Sequence, residues 1–209
     1  MQSLIISKEI RQKILGGEKD IVQKRMFGYA ASLLLALFVC STAALAQNQM
    51  GEKKGDKKPP LSPPATAEAT VNGKKISIKY SAPSMRNRKI MGELVPYGKV
   101  WRTGANAATT LVTEADLKIG DLMVPKGTYT LYTLPGQAEW KLIVSKQTGQ
   151  WGTDYSEGQD LGRVNLNMKQ TSAPVEKFAI MLDSAEGKSG VLKMTWESTE
   201  LSVPFTVEN

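Results

Sequence analysis

Apolar residues recur at every second position in four short runs between positions 76 and 207 of this chain. The runs are Ile76, Ile78 and Tyr80, then Val164, Leu166 and Met168, then Leu192, Met194 and Trp196, then Leu201, Val203, Phe205 and Val207. Because successive side chains of a β-strand point to opposite faces, a period of two predicts strands with one buried face. No segment after residue 64 shows a long amphipathic helical period. We therefore expect an all-β fold.

Turn sequences separate these runs. The pair Asn72-Gly73 favours a type I′ hairpin, because both central residues of that turn need a positive φ. Further turn sequences are Gly120-Asp121, Pro135-Gly136 and residues 186–190. About nine strands fit between the turns, which predicts a single antiparallel β-sandwich or barrel-like domain over residues 65–209. Trp140 and Trp196 are expected in or near its core.

The N-terminal part has the pattern of a secretory signal peptide. An apolar run over residues 26–46 follows the charged pair Lys24-Arg25 and closes on the small-x-small site Ala44-Leu45-Ala46. We expect residues 1–46 to be a leader and signal peptide, and the exported product to act in the periplasm, at the cell surface or outside the cell. Small polar residues interrupt the run, so no stable membrane span is expected after cleavage.

Two alternatives at the N-terminus stay open. Met26 is a second candidate for the true start, although a start there removes Lys24-Arg25, the positive end that orients a signal. Cys40 is a candidate for lipid attachment, although Val39 precedes it where a lipoprotein peptidase prefers Gly, Ala or Ser.

Residues 47–64 are rich in Gly and Pro and contain Lys53, Lys54, Lys57 and Lys58. Such a composition buries little and predicts a flexible linker. The chain carries a formal net charge of +7, but no basic stripe interleaved with aromatic residues, so nucleic acid is not an expected partner.

The composition removes much of the usual catalytic chemistry. The chain has no His, and its one Cys, Cys40, lies within the export segment. The domain therefore lacks thiols and imidazoles, and neither a zinc site nor another cofactor is expected. Phosphate-binding Gly-rich loops and nucleophile-elbow motifs are also absent. These observations favour a protein that is not an enzyme.

Two segments break the alternation and are the candidate functional regions. We call residues 81–106 the first excursion and residues 147–162 the second excursion. Aperiodic spans of this length are uncommon in a compact domain unless they bind something or cover a sheet. The predicted ligand-binding residues, which combine aromatic faces with polar groups, are Tyr97, Trp101, Arg102, Asn106, Trp151 and Tyr155. The alternative is structural, with Trp101 filling the core and Arg102 and Asn106 bonding to loop carbonyls.

The second excursion also contains three carboxylates that form a candidate acidic site, namely Asp154, Glu157 and Asp160. Glycoside hydrolysis needs two carboxyl groups about 5 to 10 Å apart, which sequence spacing alone does not establish. The spacing also lacks the pattern of a calcium-binding loop, so no metal is expected.

Several longer motifs resemble the bacterial domain-of-unknown-function 2911 family. They are residues 88–90, 94–97, 98–106, 125–131 and 150–152, and the resemblance extends from Ala65 nearly to the C-terminus. It implies an exported, mostly β domain, and it implies neither an activity nor catalytic residues.

These observations favour a noncatalytic binding module for a carbohydrate or other small polar ligand. One alternative is an envelope glycan hydrolase that uses the loop carboxylates, and another is a structural or assembly protein of the cell envelope. The sequence leaves the oligomeric state open.

Overall fold

A computed structural model describes residues 59–208. The predicted leader and signal peptide (1–46) and the linker up to residue 58 lie outside the described residues. The strands are β1 Pro64–Val71, β2 Lys74–Ser81, β3 Thr109–Thr113, β4 Leu117–Ile119, β5 Leu122–Val124, β6 Gly127–Leu134, β7 Trp140–Ser145, β8 Asp160–Ser184 and β9 Ser189–Val207. The short 3₁₀ helix Glu157–Gln159 precedes β8. Within residues 59–208 no helix has the length and apolar character that a membrane crossing requires.

The nine strands form one antiparallel sheet in the order β1-β2-β3-β6-β7-β8-β9-β4-β5, which is not closed into a barrel. The all-β prediction and the predicted strand number are therefore confirmed. The first part of β8 pairs with β7, and the strand pairs with β9 from Asn167 onward, with register shifts between Gln170 and Ala179. The C-terminal part of β8 lies beside the segment that follows β2, where Phe178 N–H donates to Pro83 O (2.8 Å). The sheet thus curls back on itself around one long strand.

The predicted turns are present. Asn72 and Gly73 both have positive φ (51° and 72°) and join β1 to β2, as a type I′ hairpin requires. Gly120, with φ 56°, joins β4 to β5. Pro135-Gly136 lies in the connection between β6 and β7, which pair from Leu134 and Lys141 onward.

The core lies within the fold of the sheet and contains the alternating apolar residues. Trp140 and Trp196 are both buried, as expected. Met168 is an exception to its run, with a side chain 41% exposed. It follows Leu166, the last residue of β8 that pairs with β7. At this point the pairing partner of β8 changes from β7 to β9, and Met168 itself pairs with Leu201.

The first excursion closes one side of the core. Its Ile90 and Val95 are fully buried, and its Trp101 stacks on Trp196 with ring centroids 5.7 Å apart. Trp101 also meets Phe178 edge to face at 5.1 Å. Trp101 is therefore partly buried and packs against the core, in the manner of its structural alternative.

A carboxylate from β9 holds this excursion in place. Glu197 accepts the backbone N–H groups of Ile90 (3.0 Å) and Met91 (3.2 Å). We expect Glu197→Gln to lower the free energy of unfolding by about 1 to 2 kcal/mol, because a neutral amide oxygen replaces two charge-assisted acceptors. Urea denaturation measures this. The control is Glu93→Gln in the same excursion, whose exposed pair with Lys89 contributes less than about 1 kcal/mol. Equal effects of the two substitutions would contradict the anchoring role of Glu197.

Candidate functional site

The second excursion covers the outer face of the sheet. Thr130 and Tyr132 lie on the face of β6 opposite to the core residue Leu131, yet both are buried. Thr130 Oγ1 donates to Gln147 O (2.7 Å). Gln150 Nε2 donates to Tyr132 OH (3.0 Å) and to Thr130 Oγ1 (3.2 Å). These hydrogen bonds fix the excursion as a layer over β6.

The two aperiodic regions meet along a short stretch of backbone pairing. Gly152 N–H donates to Asn106 O (3.1 Å), and Ala108 N–H donates to Gln150 O (3.4 Å). Between these contacts, Ala107 and Trp151 form an isolated antiparallel bridge. We call residues 102–108 together with residues 150–152 the loop junction.

Arg102 is the unusual residue of the loop junction. Its stem lies across Gly152, where an added Cβ would stand 2.4 Å from Arg102 Cδ and 2.6 Å from Asn106 O. Only glycine leaves room for this path. Arg102 is half-buried as a residue, and its guanidinium forms no hydrogen bond or ion pair with any residue between 59 and 208. Its Nε is buried without a partner. The two Nη nitrogens are not among the buried unpaired atoms, so each keeps some solvent-accessible surface.

The backbone beside Arg102 is strained. Thr103 is buried and has φ 52°, a conformation that β-branched residues rarely adopt. Its carbonyl accepts a 2.7 Å hydrogen bond from Thr109 Oγ1, and its hydroxyl contacts Thr133 Oγ1 at 3.3 Å. Such strain costs about 1 to 3 kcal/mol and persists only where the surroundings hold it, often at functional sites. The conformation that presents Arg102 is therefore held by neighbouring threonines.

The predicted acidic site is an ion-pair network. Arg163 binds Glu157 Oε1 through Nη2 (2.7 Å) and Asp160 Oδ2 through Nε (3.0 Å). Tyr155 OH donates to the same Asp160 oxygen (2.8 Å). The other oxygen of Asp160, Oδ1, is buried and accepts no hydrogen bond from the described residues. Asp154 is exposed, and its carboxylate pairs with no residue in the described range. Two of the three predicted carboxylates are thus bound by one arginine, which leaves the two carboxylates and the arginine with one net negative charge.

This network changes the ionisation of Tyr155. Burial, followed by the hydrogen bond to Asp160, raises the pKa of Tyr155 to about 12. Its contribution to stability is fully present below the unfolded-state pKa of about 10 and is lost as pH rises through about 12. We expect Tyr155→Phe to remove one late step from the alkaline absorbance titration at 295 nm. An unchanged late step in Tyr155→Phe would contradict this assignment. Tyr129, whose pKa is also raised by burial, is a second late tyrosine and stays in both titrations.

The structure separates the predicted ligand-binding residues into four places. Arg102, Asn106 and Trp151 belong to the loop junction, and the Trp151 side chain is 55% exposed. Tyr155 belongs to the ion-pair network and meets Tyr132 edge to face. The remaining two, Tyr97 and Trp101, lie elsewhere.

Tyr97 is 38% exposed and packs beside Gly92, where an added Cβ would stand 2.9 Å from its ring. Trp101 belongs to the aromatic cluster of the core. Sequence reasoning missed Gln150 and Gly152 as parts of the junction. The Trp-Gly pair at 151–152 marked the region, but only the path of Arg102 explains the glycine.

A separate surface depression of about 370 Å³ lies where β9 ends beside the β3–β4 and β5–β6 connections. Its lining mixes both charge signs, with Glu114, Asp116 and Glu208 beside Lys74 and Lys126. No predicted site residue lines it. The described part of the chain contains no group of three His, Cys, Asp or Glu side chains that can hold a metal ion.

The fold and the junction define a β-sheet domain with a surface-accessible, unpaired arginine between two ordered loops. The chain belongs to the family described as protein of unknown function (DUF2911), whose model matches residues 62–205. The resemblance in the sequence motifs is thereby confirmed. Neither a curated protein nor a solved structure matches the chain.

Proposed function

We propose that this protein is an exported, noncatalytic binding module for a carbohydrate or other small polar ligand, and that the loop junction is its site. The observation that carries the proposal is Arg102, a half-buried residue whose Nε is buried and whose guanidinium has no partner among residues 59–208. A partly desolvated cation without a counter-charge is costly, and a ligand that bonds to it offsets that cost.

The neighbours of Arg102 suit a small polar ligand. Trp151 presents a largely exposed aromatic surface next in sequence to Gly152, over which the Arg102 stem passes. Asn106 is exposed and carries an amide that both donates and accepts hydrogen bonds. Small-ligand sites commonly combine an aromatic face with a few polar groups.

Ordered surroundings support the same proposal. Pairing between Gly152 and Asn106 joins the two loops, and Thr109 holds the strained backbone at Thr103. A site that is already formed loses less conformational entropy when a ligand binds.

The export proposal rests on the signal-peptide pattern of residues 1–46, which favours the periplasm, the cell surface or the medium. The hydrolase alternative gains no support, because Glu157 and Asp160 are both bound by Arg163. No observation favours an assembly role over the binding role.

The test is Arg102→Ala. We expect this substitution to abolish ligand binding, measured by titration calorimetry against a panel of small sugars, because it removes the unpaired cation. The free energy of unfolding should fall by no more than about 1 kcal/mol, since the substitution removes the packing of the side-chain stem over Gly152 but no internal hydrogen bond.

The matched control is Arg88→Ala in the first excursion. The Arg88 guanidinium donates to Met85 O and Ser84 O, and neither of these partners belongs to the loop junction. Its removal should leave binding unchanged. A large loss of stability in Arg102→Ala with binding retained would assign Arg102 a purely structural role and overturn the proposal.

A further inference from the structure

The two arginines near the second excursion differ in their counter-charges. Arg163 contacts two carboxylates, Glu157 and Asp160, at 2.7 and 2.9 Å. Arg102 contacts none in the described part of the chain. A site that held only neutral sugars would leave the charge of Arg102 uncompensated in the bound state as well. The contrast favours a ligand that brings its own negative charge.

The accessible atoms of Arg102 limit how a negatively charged group can bind to it. Nε is buried, so the side of the guanidinium that combines Nε with one Nη is closed to a ligand. The end with the two Nη nitrogens remains open. Two parallel N–H donors at this end match the two oxygens of a planar carboxylate.

The surrounding charges favour a single negative charge. Asp154 N–H donates to Trp151 O (2.9 Å), so an exposed carboxylate lies one turn from the junction. Arg163 offers no second cation, because its acidic partners already occupy it. A phosphate monoester, with a charge of about −1.5 to −2 at neutral pH, needs more positive charge than one arginine supplies here.

We infer that the ligand of the loop junction is an acidic sugar with one carboxylate, of the uronic acid class, which Arg102 binds end-on through its two Nη nitrogens while Trp151 stacks on the sugar ring. This inference rests on the proposed function and specifies its ligand. The role of Trp151 follows from its exposure beside Gly152, and the amide of Asn106 is the neighbouring group for ring hydroxyls.

The test is titration calorimetry of the full chain with three probes, namely glucuronate, glucose and glucose 6-phosphate. We expect glucuronate to bind at least tenfold more tightly than the other two. Arg102→Gln should remove this preference and leave the weak affinity for glucose within about twofold, since the amide keeps polar contacts but carries no charge. Arg88→Gln, the matched control, should behave as the unsubstituted protein.

A second variant keeps the inference testable if Arg102→Gln fails to fold. Arg102→Lys keeps the charge but lacks the two-pronged fork, and we expect an intermediate preference with unchanged circular dichroism. If circular dichroism shows that Arg102→Gln is misfolded, Arg102→Lys provides the test. A preference for glucuronate as strong in Arg102→Lys as in the unsubstituted protein would overturn end-on recognition.

The remaining outcomes separate the inference from the proposed function. Equal affinities for glucose and glucuronate would overturn the acidic ligand and leave the binding module standing. Tighter binding of glucose 6-phosphate would overturn the carboxylate assignment. Absence of binding for all three probes would overturn the inference and count against the binding module as well. A preference for glucuronate that persists in Arg102→Gln would place recognition elsewhere.

Discussion

Trp196→Ala is expected to lower the free energy of unfolding by about 4 kcal/mol, the largest effect of any single substitution considered for this domain. Trp196 is buried and contacts two other rings, Trp101 at 5.7 Å and Phe178 at 5.9 Å. Its indole N–H also donates to Glu176 O (3.2 Å). The substitution removes this hydrogen bond and leaves a cavity that the neighbouring rings cannot fill. Urea denaturation followed by far-ultraviolet circular dichroism measures the loss.

The control for this experiment is Trp151→Ala, which removes the same side chain from an exposed position. We expect that variant to stay within about 0.5 kcal/mol of the unsubstituted protein. If Trp196→Ala costs less than about 1 kcal/mol, the aromatic cluster does not support the first excursion as described.

Gly152→Val is expected to cost about 3 kcal/mol and to abolish binding at the loop junction. The new side chain would begin 2.4 Å from Arg102 Cδ and 2.6 Å from the carbonyl oxygen of Asn106. The carbonyl belongs to the backbone and cannot move aside without breaking the hydrogen bond that joins the two loops, so the cost lies at the upper end of the overpacking range. Thermal unfolding and sugar titration on the same samples measure both effects.

Gly158→Val in the same excursion is the matched control, because a Cβ at Gly158 meets no atom within 4 Å. That variant should keep both stability and binding. Retained binding in Gly152→Val would mean that the path of Arg102 across Gly152 has no part in the site.

The strands could be predicted because the alternation of apolar residues that identifies them is a local sequence pattern. In the run Leu201, Val203, Phe205 and Val207, every apolar residue is buried, so the period of two alone identified the face. The hairpin at Asn72-Gly73 could likewise be predicted, since positive φ at two successive residues is a property of the turn itself.

The candidate site depends on contacts that no local pattern encodes. Trp101 and Trp151 are both tryptophans in aperiodic segments, yet one is packed against Phe178 and Trp196 and the other is exposed. Their difference arises from partners far along the chain. In the sequence Glu157 and Asp160 resemble a catalytic acidic pair, but in the structure Arg163 forms an ion pair with both of them. The spacing of charged residues along the chain does not show that Arg163 is paired with carboxylates and that Arg102, among the described residues, is not.

The pairing of β4 with β9 has a consequence for the order in which this domain is assembled. Leu117, near the middle of the chain, pairs with Val207, close to its end. The β4–β5 hairpin therefore lacks its neighbouring strand until β9 has been synthesised. Long-range pairings of this kind delay folding. The domain can therefore complete its native sheet only once β9 has been made, because β9 is the strand that joins the β4–β5 hairpin to the rest of the sheet.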